Sequence, residues 1–277
     1  MSQFPLSFDT PQRRYGALSQ MLSGVSLIEH KPAEAAAAFY DVPHAGLFCG
    51  KWSPDDIAGI LAETGCLSHW QRQGYVNIWI EIGNGIAPNR HEFEVWTQVE
   101  EHSELLMQLV VWLDYLQIDR LGEILPQFYV EHLRLQLPQA EPVSNLWPGQ
   151  DFPSSGILRR IFGILKNWAC ILGASLITGI PEYFHTAWLF SEFFEFIDPE
   201  MECLFRGIVR DLHVTPACLG AISHAFEAGN VLCNGQKWFW PTEMQAYALS
   251  HELEQALRVS RASYDVHFTL NEAARMQ

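Results

Sequence analysis

Apolar and polar side chains alternate with a period of two from Val76 to Ile82. Val76, Ile78, Ile80 and Ile82 interleave there with Asn77, Trp79 and Glu81, and the pattern returns at Phe93 and Val95 between Glu92, Glu94 and Trp96. Such alternation lines one face of a strand with apolar groups. Gly83-Asn84-Gly85 and Pro88-Asn89 lie between the two runs and supply turn residues, so the pattern predicts an antiparallel pair. Leu105 to Leu113 is read as a third strand for its Val110-Val111-Trp112 centre, although Leu105, Leu106, Leu109, Val110 and Leu113 also fit a helical stripe. Phe128 to Leu137 alternates Leu133, Leu135 and Leu137 against His132, Arg134 and Gln136, and it stops at Pro138, which cannot continue a ladder.

Helical signals frame these strands. Ser53-Pro54-Asp55-Asp56 combines a cap residue, a proline and two acids, which predicts a helix from Pro54 to about Thr64. The segment from Pro138 to Gly156 holds four prolines and two glycines, so it is expected to be an irregular loop and an internal boundary. Ser154 or Ser155 is placed to cap the next helix, whose apolar positions Ile157, Ile161, Ile164, Leu165 and Trp168 recur at helical spacing as far as Leu172, with Gly173 as its stop. Ala174 to Ile180 reads as a short buried strand closed by Pro181.

Further helices are expected over Glu182 to Phe196, from Asp198-Pro199-Glu200 to about Leu212, near Thr215-Pro216 and near Pro241-Thr242-Glu243. A last strand is expected where Tyr264, Val266, Phe268 and Leu270 alternate with polar residues. Residues 1–50 read as an arm with a short alanine-rich helix over Pro32 to Tyr40. The whole predicts an α+β protein: a mixed, mainly antiparallel sheet with flanking helices within 51–198, and a mainly helical C-terminal region, 199–277, packed on that core.

Composition narrows the function classes. The 277 residues carry 17 basic and 32 acidic side chains, a formal charge of −15, which opposes binding to polyanions, so nucleic acid is excluded as a partner. Six cysteines are dispersed without a C-x-x-C pair, as reduced thiols of a cytoplasmic protein would be. Phe4, Pro5, Asp9 and Pro11 do not fit a secretory signal. The longest apolar stretches, Leu105 to Leu113 and Ile171 to Ile180, are too short to span a bilayer, so no membrane span is expected.

The order strand, loop, helix, strand, helix over residues 128–196, preceded by strands, resembles the acyl-CoA-binding core of the GNAT acyltransferase superfamily. In that family a loop reading Q/R-x-x-G-x-G/A presents backbone amides at a helix start to the pyrophosphate of acyl-CoA. The chain offers Gln150-Asp151-Phe152-Pro153-Ser154-Ser155-Gly156, in which Gln150 and Gly156 match, the first glycine is absent and Pro153 lacks an amide hydrogen. The resemblance implies that Gln150, Ser154, Ser155, Gly156, Arg159 and Arg160 bind the cofactor. It also implies an amine acceptor, as a small molecule or peptide, with a homodimer left open.

Acyl transfer to an amine needs a base and a donor that polarises the thioester oxygen. Glu131 is the preferred base. It shares parity with Leu133, Leu135 and Leu137, where desolvation would raise its pKa; the bland alternative is a strand-end carboxylate at the sheet rim. His132 is the alternate base, pointing the other way. The family often protonates the departing thiolate with a tyrosine where this chain has Phe190, and Tyr183 is the substitute.

Two other classes compete. Glu182-Tyr183-Phe184-His185 is an E-x-x-H that would set two ligands on one helical face of a non-haem di-iron oxidase, with Glu131, His132, Glu192, Glu195, His213 and His251 as further ligands; the acyltransferase reading expects no metal. The non-enzymatic alternative is an acidic binding or scaffold protein with a degenerate GNAT-like core. The aromatic residues Tyr183, Phe184, Trp188, Phe190, Phe193, Phe194 and Phe196 surround their helix, as in a buried element, an acyl tunnel or a partner patch. Ser223-His224 with Glu227 lacks a G-x-S-x-G elbow and adjacent helix side chains diverge, which removes a hydrolase.

Overall fold

Helix α1 (Pro54–Glu63) forms where its cap signal predicts it. The Ser53 hydroxyl accepts from the Asp56 amide, and the Asp56 carboxylate accepts from the Ser53 amide at 2.9 Å, so two free donors of the first turn are satisfied. Gly65, in the left-handed region at φ 74°, turns the chain into α2 (Cys66–Arg72). This is seen in a computed structural model that describes residues 46–83, 87–140, 146–258 and 266–271.

Strands β1 (Ile78–Gly83), β2 (Arg90–Val99), β3 (His102–Ile118) and β4 (Glu123–Leu135) then form an antiparallel meander. The third apolar run is a strand. Val110 and Val111 are both buried although they point to opposite faces, which is why the run lacks clean alternation.

Helix α3 (Leu158–Leu172) carries the chain back, and β5 (Leu176–Gly179) pairs parallel with β4. Beyond it come α4 (Phe184–Phe190), β6 (Glu195–Phe196), α5 (Pro199–Asp211) and α6 (Leu219–Glu227). The hairpin β7 (Val231–Cys233) and β8 (Gln236–Lys237), then β9 (Gln245–Ala248), α7 (His251–Leu257) and β10 (Phe268–Leu270), complete the described elements. The main sheet runs β1-β2-β3-β4-β5-β9-β6, and β10-β7-β8 form a second. The architecture is therefore α+β with a mixed, mainly antiparallel sheet.

Apolar burial explains how the layers hold. Phe93, Val95, Leu109, Phe128 and Ile177 are buried. Phe48 meets Phe93 at 4.9 Å and Trp168 of α3 at 5.2 Å between ring centroids, while Phe162 stacks on Phe193 at 4.2 Å. A second core gathers Phe184, Phe196, Phe205, Ile208, Leu219, Phe226 and Phe268, and a third joins Ile118, Leu176, Ala246 and Leu257 under α7.

Several expectations are corrected. The aromatic helix does not reach Phe196: α4 ends at Phe190, and Phe193 and Phe194 both donate to the Phe190 carbonyl, which turns the chain into β6. Pro241-Thr242-Glu243 starts no helix but leads into β9, and the cap belongs instead to Ser250, which accepts from the Leu253 amide at 3.2 Å. The helix expected at Thr215 begins at Leu219. Among the described residues the C-terminal region holds the helices α5, α6 and α7 and also four short strands after residue 230. Ser154 and Ser155 do not cap α3, whose N-cap position is Ile157 without a side-chain bond. The helix expected over Pro32 to Tyr40, and Tyr264 at the start of the last strand, lie outside the described residues. No helix among the described residues is long and apolar enough to cross a membrane.

Candidate active site

A bulge in the β3–β4 ladder and the end of the β4–β5 pairing coincide on β4. On one side β3 pairs Val111 with Val130 and Val110 with His132, which leaves Glu131 as an extra residue; on the other side pairing with β5 ends at Val130 with Gly179. A bulge of this kind bends its strand and re-aims its side chains. The parallel pair below is fixed internally by Thr178, whose hydroxyl donates to the Gln127 side-chain oxygen at 2.7 Å in a buried position. Strand β4 therefore runs on beyond Val130 without β5, and Glu131 and His132, both exposed, stand at the point of divergence.

Glu131 is held there. Arg90 donates to its carboxylate through Nε at 2.9 Å, and the Trp112 indole N–H donates to the same oxygen. Burial opposes ionisation, but these two hydrogen bonds and the Arg90 charge outweigh it, and the carboxyl lies below its ordinary value. The expected upward shift is thereby corrected. The bulge is the reason, because it takes Glu131 off the apolar row of Leu133 and Leu135 and turns it to the guanidinium. His132 is shifted down, first by desolvation and then by the Arg134 charge, against raising contributions from Glu182, Glu131 and Glu92. It is thus a neutral imidazole at pH 7, in the state a base requires. Tyr129 is pushed up by burial and by Glu131 and Glu182.

The expected cofactor loop differs in construction from the Q/R-x-x-G-x-G/A pattern. Gln150 closes a turn on Trp147, whose amide donates to the Gln150 side-chain oxygen at 3.1 Å. The Leu137 amide donates to the Pro153 carbonyl at 3.0 Å, and Ser154 sits opposite Gln136 in a bridge, so this part of the loop extends the β4 edge. Gly156 takes φ +71° with open space where a side chain would stand. Its amide donates to the Ser154 hydroxyl at 3.5 Å. Ser155 is 3% exposed, and its hydroxyl has no partner among the described residues.

Neither arginine is idle. Arg160 donates to the Gly65 carbonyl at 2.6 Å and Arg159 pairs with Glu192 at 3.0 Å. No side chain caps the first turn of α3, although the Arg160 amide donates to the Ile157 carbonyl at 2.9 Å. An uncapped helix start favours an anion. Ser155, Arg159 and Arg160 are thus not free surface donors: the serine is buried, and the two arginines would first have to leave their present partners.

The E-x-x-H residues separate. Glu182 is exposed and precedes α4, and His185 is buried inside it, so they do not share a helical face. His185 Nδ1 lies 2.8 Å from the Ser223 hydroxyl of α6. Burial, then the neighbouring His224, pushes its pKa down to about 4. Tyr183 stacks on this imidazole at 5.5 Å and 18°, and Trp147 covers it at 5.0 Å. Tyr183 also presses against Gly149, where an added Cβ would fall 2.5 Å from the ring. Among the described residues no three His, Cys, Asp or Glu side chains converge as a metal site.

Sequence reasoning missed Arg90 and Trp112, which lie far from Glu131 in the chain. Their signal was present in the alternation of β2 and β3, which sets Arg90 opposite Trp112. The His185 to Ser223 pair had no sequence signal, since it joins two helices 38 positions apart. The chain matches no protein-family model, and comparison with curated proteins finds no match.

Proposed function

We propose that this protein is an acyl-CoA-dependent N-acyltransferase-like protein that transfers an acyl group to an amine acceptor. The observation that carries the reading is the end of the parallel pairing of β4 with β5 at Val130, beside a bulge at Glu131 in its continuing ladder with β3, followed in the chain by a helix that no side chain caps. A strand that parts from its parallel neighbour exposes backbone groups of β4 to a substrate inserted alongside, and the helix start supports the charge of a phosphate.

Acyl-CoA supplies a thioester carbonyl activated towards nucleophiles. His132, neutral and exposed, removes a proton from the acceptor ammonium or from the attacking amine. The new C–N bond forms at the carbonyl carbon, the C–S bond breaks, and the thiolate leaves with a proton. Glu131, ionised and fixed by Arg90 and Trp112, orients neighbouring groups instead of acting as the base. Tyr183 is held by Gly149 and His185 close to the loop, where its phenol is a donor for the departing sulfur. General base removal is worth about 10²- to 10⁴-fold in rate.

A second reading is a non-catalytic acidic binding protein of the same architecture. It is favoured by Phe190, which has no proton to give where the family often has tyrosine, and by the engagement of Arg159 and Arg160 with protein partners. Native mass spectrometry with acetyl-CoA and with a long-chain acyl-CoA separates the two. A stoichiometric CoA adduct supports the enzyme and calls for an amine-acceptor screen. Failure to bind either CoA species at millimolar concentration overturns it.

A further inference from the structure

The face of β1 to β4 that carries Arg90, Glu92, Glu94 and Trp96 differs from the apolar face in one respect: it is built of indoles and carboxylates. Register places Trp79 opposite Trp96, and Glu81 opposite Glu94. Each of three indole N–H groups donates to a glutamate: Trp79 to Glu81 at 2.9 Å, Trp96 to Glu94 at 3.0 Å, and Trp112 to Glu131. The Gln108 amide bridges Glu92 at 2.7 Å and Glu94 at 2.9 Å. These bonds hold the half-buried rings in fixed orientations beside anionic oxygens.

The face carries four carboxylates, Glu81, Glu92, Glu94 and Glu131, against two guanidiniums, Arg90 and Arg134. Arg90 is already spent on Glu92 and Glu131. Excess negative charge beside ring faces is complementary to cations, which gain from both the carboxylate field and the π-system. From β1 to β4 the surface crosses three strand spacings, about 14 Å. An extended peptide of about four or five residues spans that distance. A sheet face lacks the enclosure that small ligands need, whereas a chain gathers many shallow contacts.

We infer that this face docks an extended, lysine- or arginine-rich segment of a partner protein, through charge complementarity with its glutamates and cation–π contact with its tryptophans. Arg90, Trp112 and Glu131 belong both to this face and to the candidate active site.

The test is titration of the full chain with octalysine at low salt, followed by tryptophan fluorescence, with octaglutamate and spermine as comparison probes. Octalysine binds and perturbs the emission, octaglutamate does not, and spermine binds more weakly. The double variant Glu81→Gln with Glu94→Gln weakens octalysine about tenfold, as does Trp96→Ala. Trp96→Phe, which keeps a ring, retains most of the affinity and serves if the alanine variant fails to fold. The control pair Glu63→Gln with Glu227→Gln, exposed on α1 and α6, removes the same charge and leaves binding unchanged. No octalysine binding, or equal weakening by the control pair, overturns the proposal. Spermine binding as tightly as octalysine also overturns it, and assigns the face to a small polyamine.

Discussion

His185 of α4 and Ser223 of α6 form a buried hydrogen bond of 2.8 Å that joins two helices. With a folded pKa of about 4, the imidazole takes up its proton more readily in the unfolded chain, near its ordinary 6.5. Stability from this group is therefore complete above about pH 6.5 and is lost as the pH falls towards 4, by about 3 kcal/mol in all. Urea unfolding between pH 4.5 and 7.5 measures it. The variant His185→Leu should flatten that part of the profile, and an unchanged slope would assign the acid sensitivity to other groups.

Base removal is predicted to reside in His132. In an acyl-transfer assay His132→Gln should lower kcat by about 10²-fold or more and abolish the acidic limb of the pH profile, whereas Glu131→Gln should lose less than tenfold. The reverse order would restore Glu131 as the base. Circular dichroism of both variants checks that the sheet remains intact.

Gly149 and Gly156 have nearly the same backbone conformation, φ +73° and +71°, but different surroundings. An alanine at 156 meets open space and pays only the left-handed strain, about 1 to 2 kcal/mol. At 149 the new Cβ also collides with Tyr183, so Gly149→Ala should cost about 2 to 4 kcal/mol. Adding Tyr183→Ala should recover part of that loss. Equal denaturation midpoints for the two single variants would contradict the contact.

Arg159 and Arg160 are expected to divide their roles. Arg160→Ala loses its bond to the Gly65 carbonyl and should destabilise the protein by about 1 kcal/mol. Arg159 is 73% exposed in its pair with Glu192, a surface bridge of little worth, so Arg159→Ala should leave stability within about 0.5 kcal/mol. If acyl-CoA draws Arg159 away from Glu192, that variant weakens CoA binding without a change in melting. Thermal unfolding and CoA titration on the same samples give both readouts.

Much of the sheet was legible because its signal is local. Alternation located β1 and β2, and the cap at Ser53 and the glycine at 173 marked helix ends to within a residue or two. The failures share a cause. Glu182 to Phe196 is aromatic on every side, so periodicity had no polar face by which to detect the end of α4; the end is set by tertiary packing of Phe193 on Phe162. Strand β9 is only four residues long and is stabilised by β5 and β6 from distant parts of the chain. For the candidate site, residue types near β4 could be named, but the bulge that turns Glu131 towards Arg90 depends on pairing with β3. That pairing reversed the expected direction of its pKa.

Strand β9 lies between β5 and β6 although it follows both in the chain. During synthesis the open edge of β5 has no antiparallel neighbour until residues 245–248 have emerged, roughly 70 positions later. Such distant pairing makes closure of the sheet a slow, late event in folding. Until then Leu176 and Ile177, both fully buried in the finished protein, border an unpaired ladder that invites association with other chains. A nascent chain stalled before Gln245 is therefore expected to be aggregation-prone, and β9, the last strand of the main sheet to emerge, acts as the lock of that sheet.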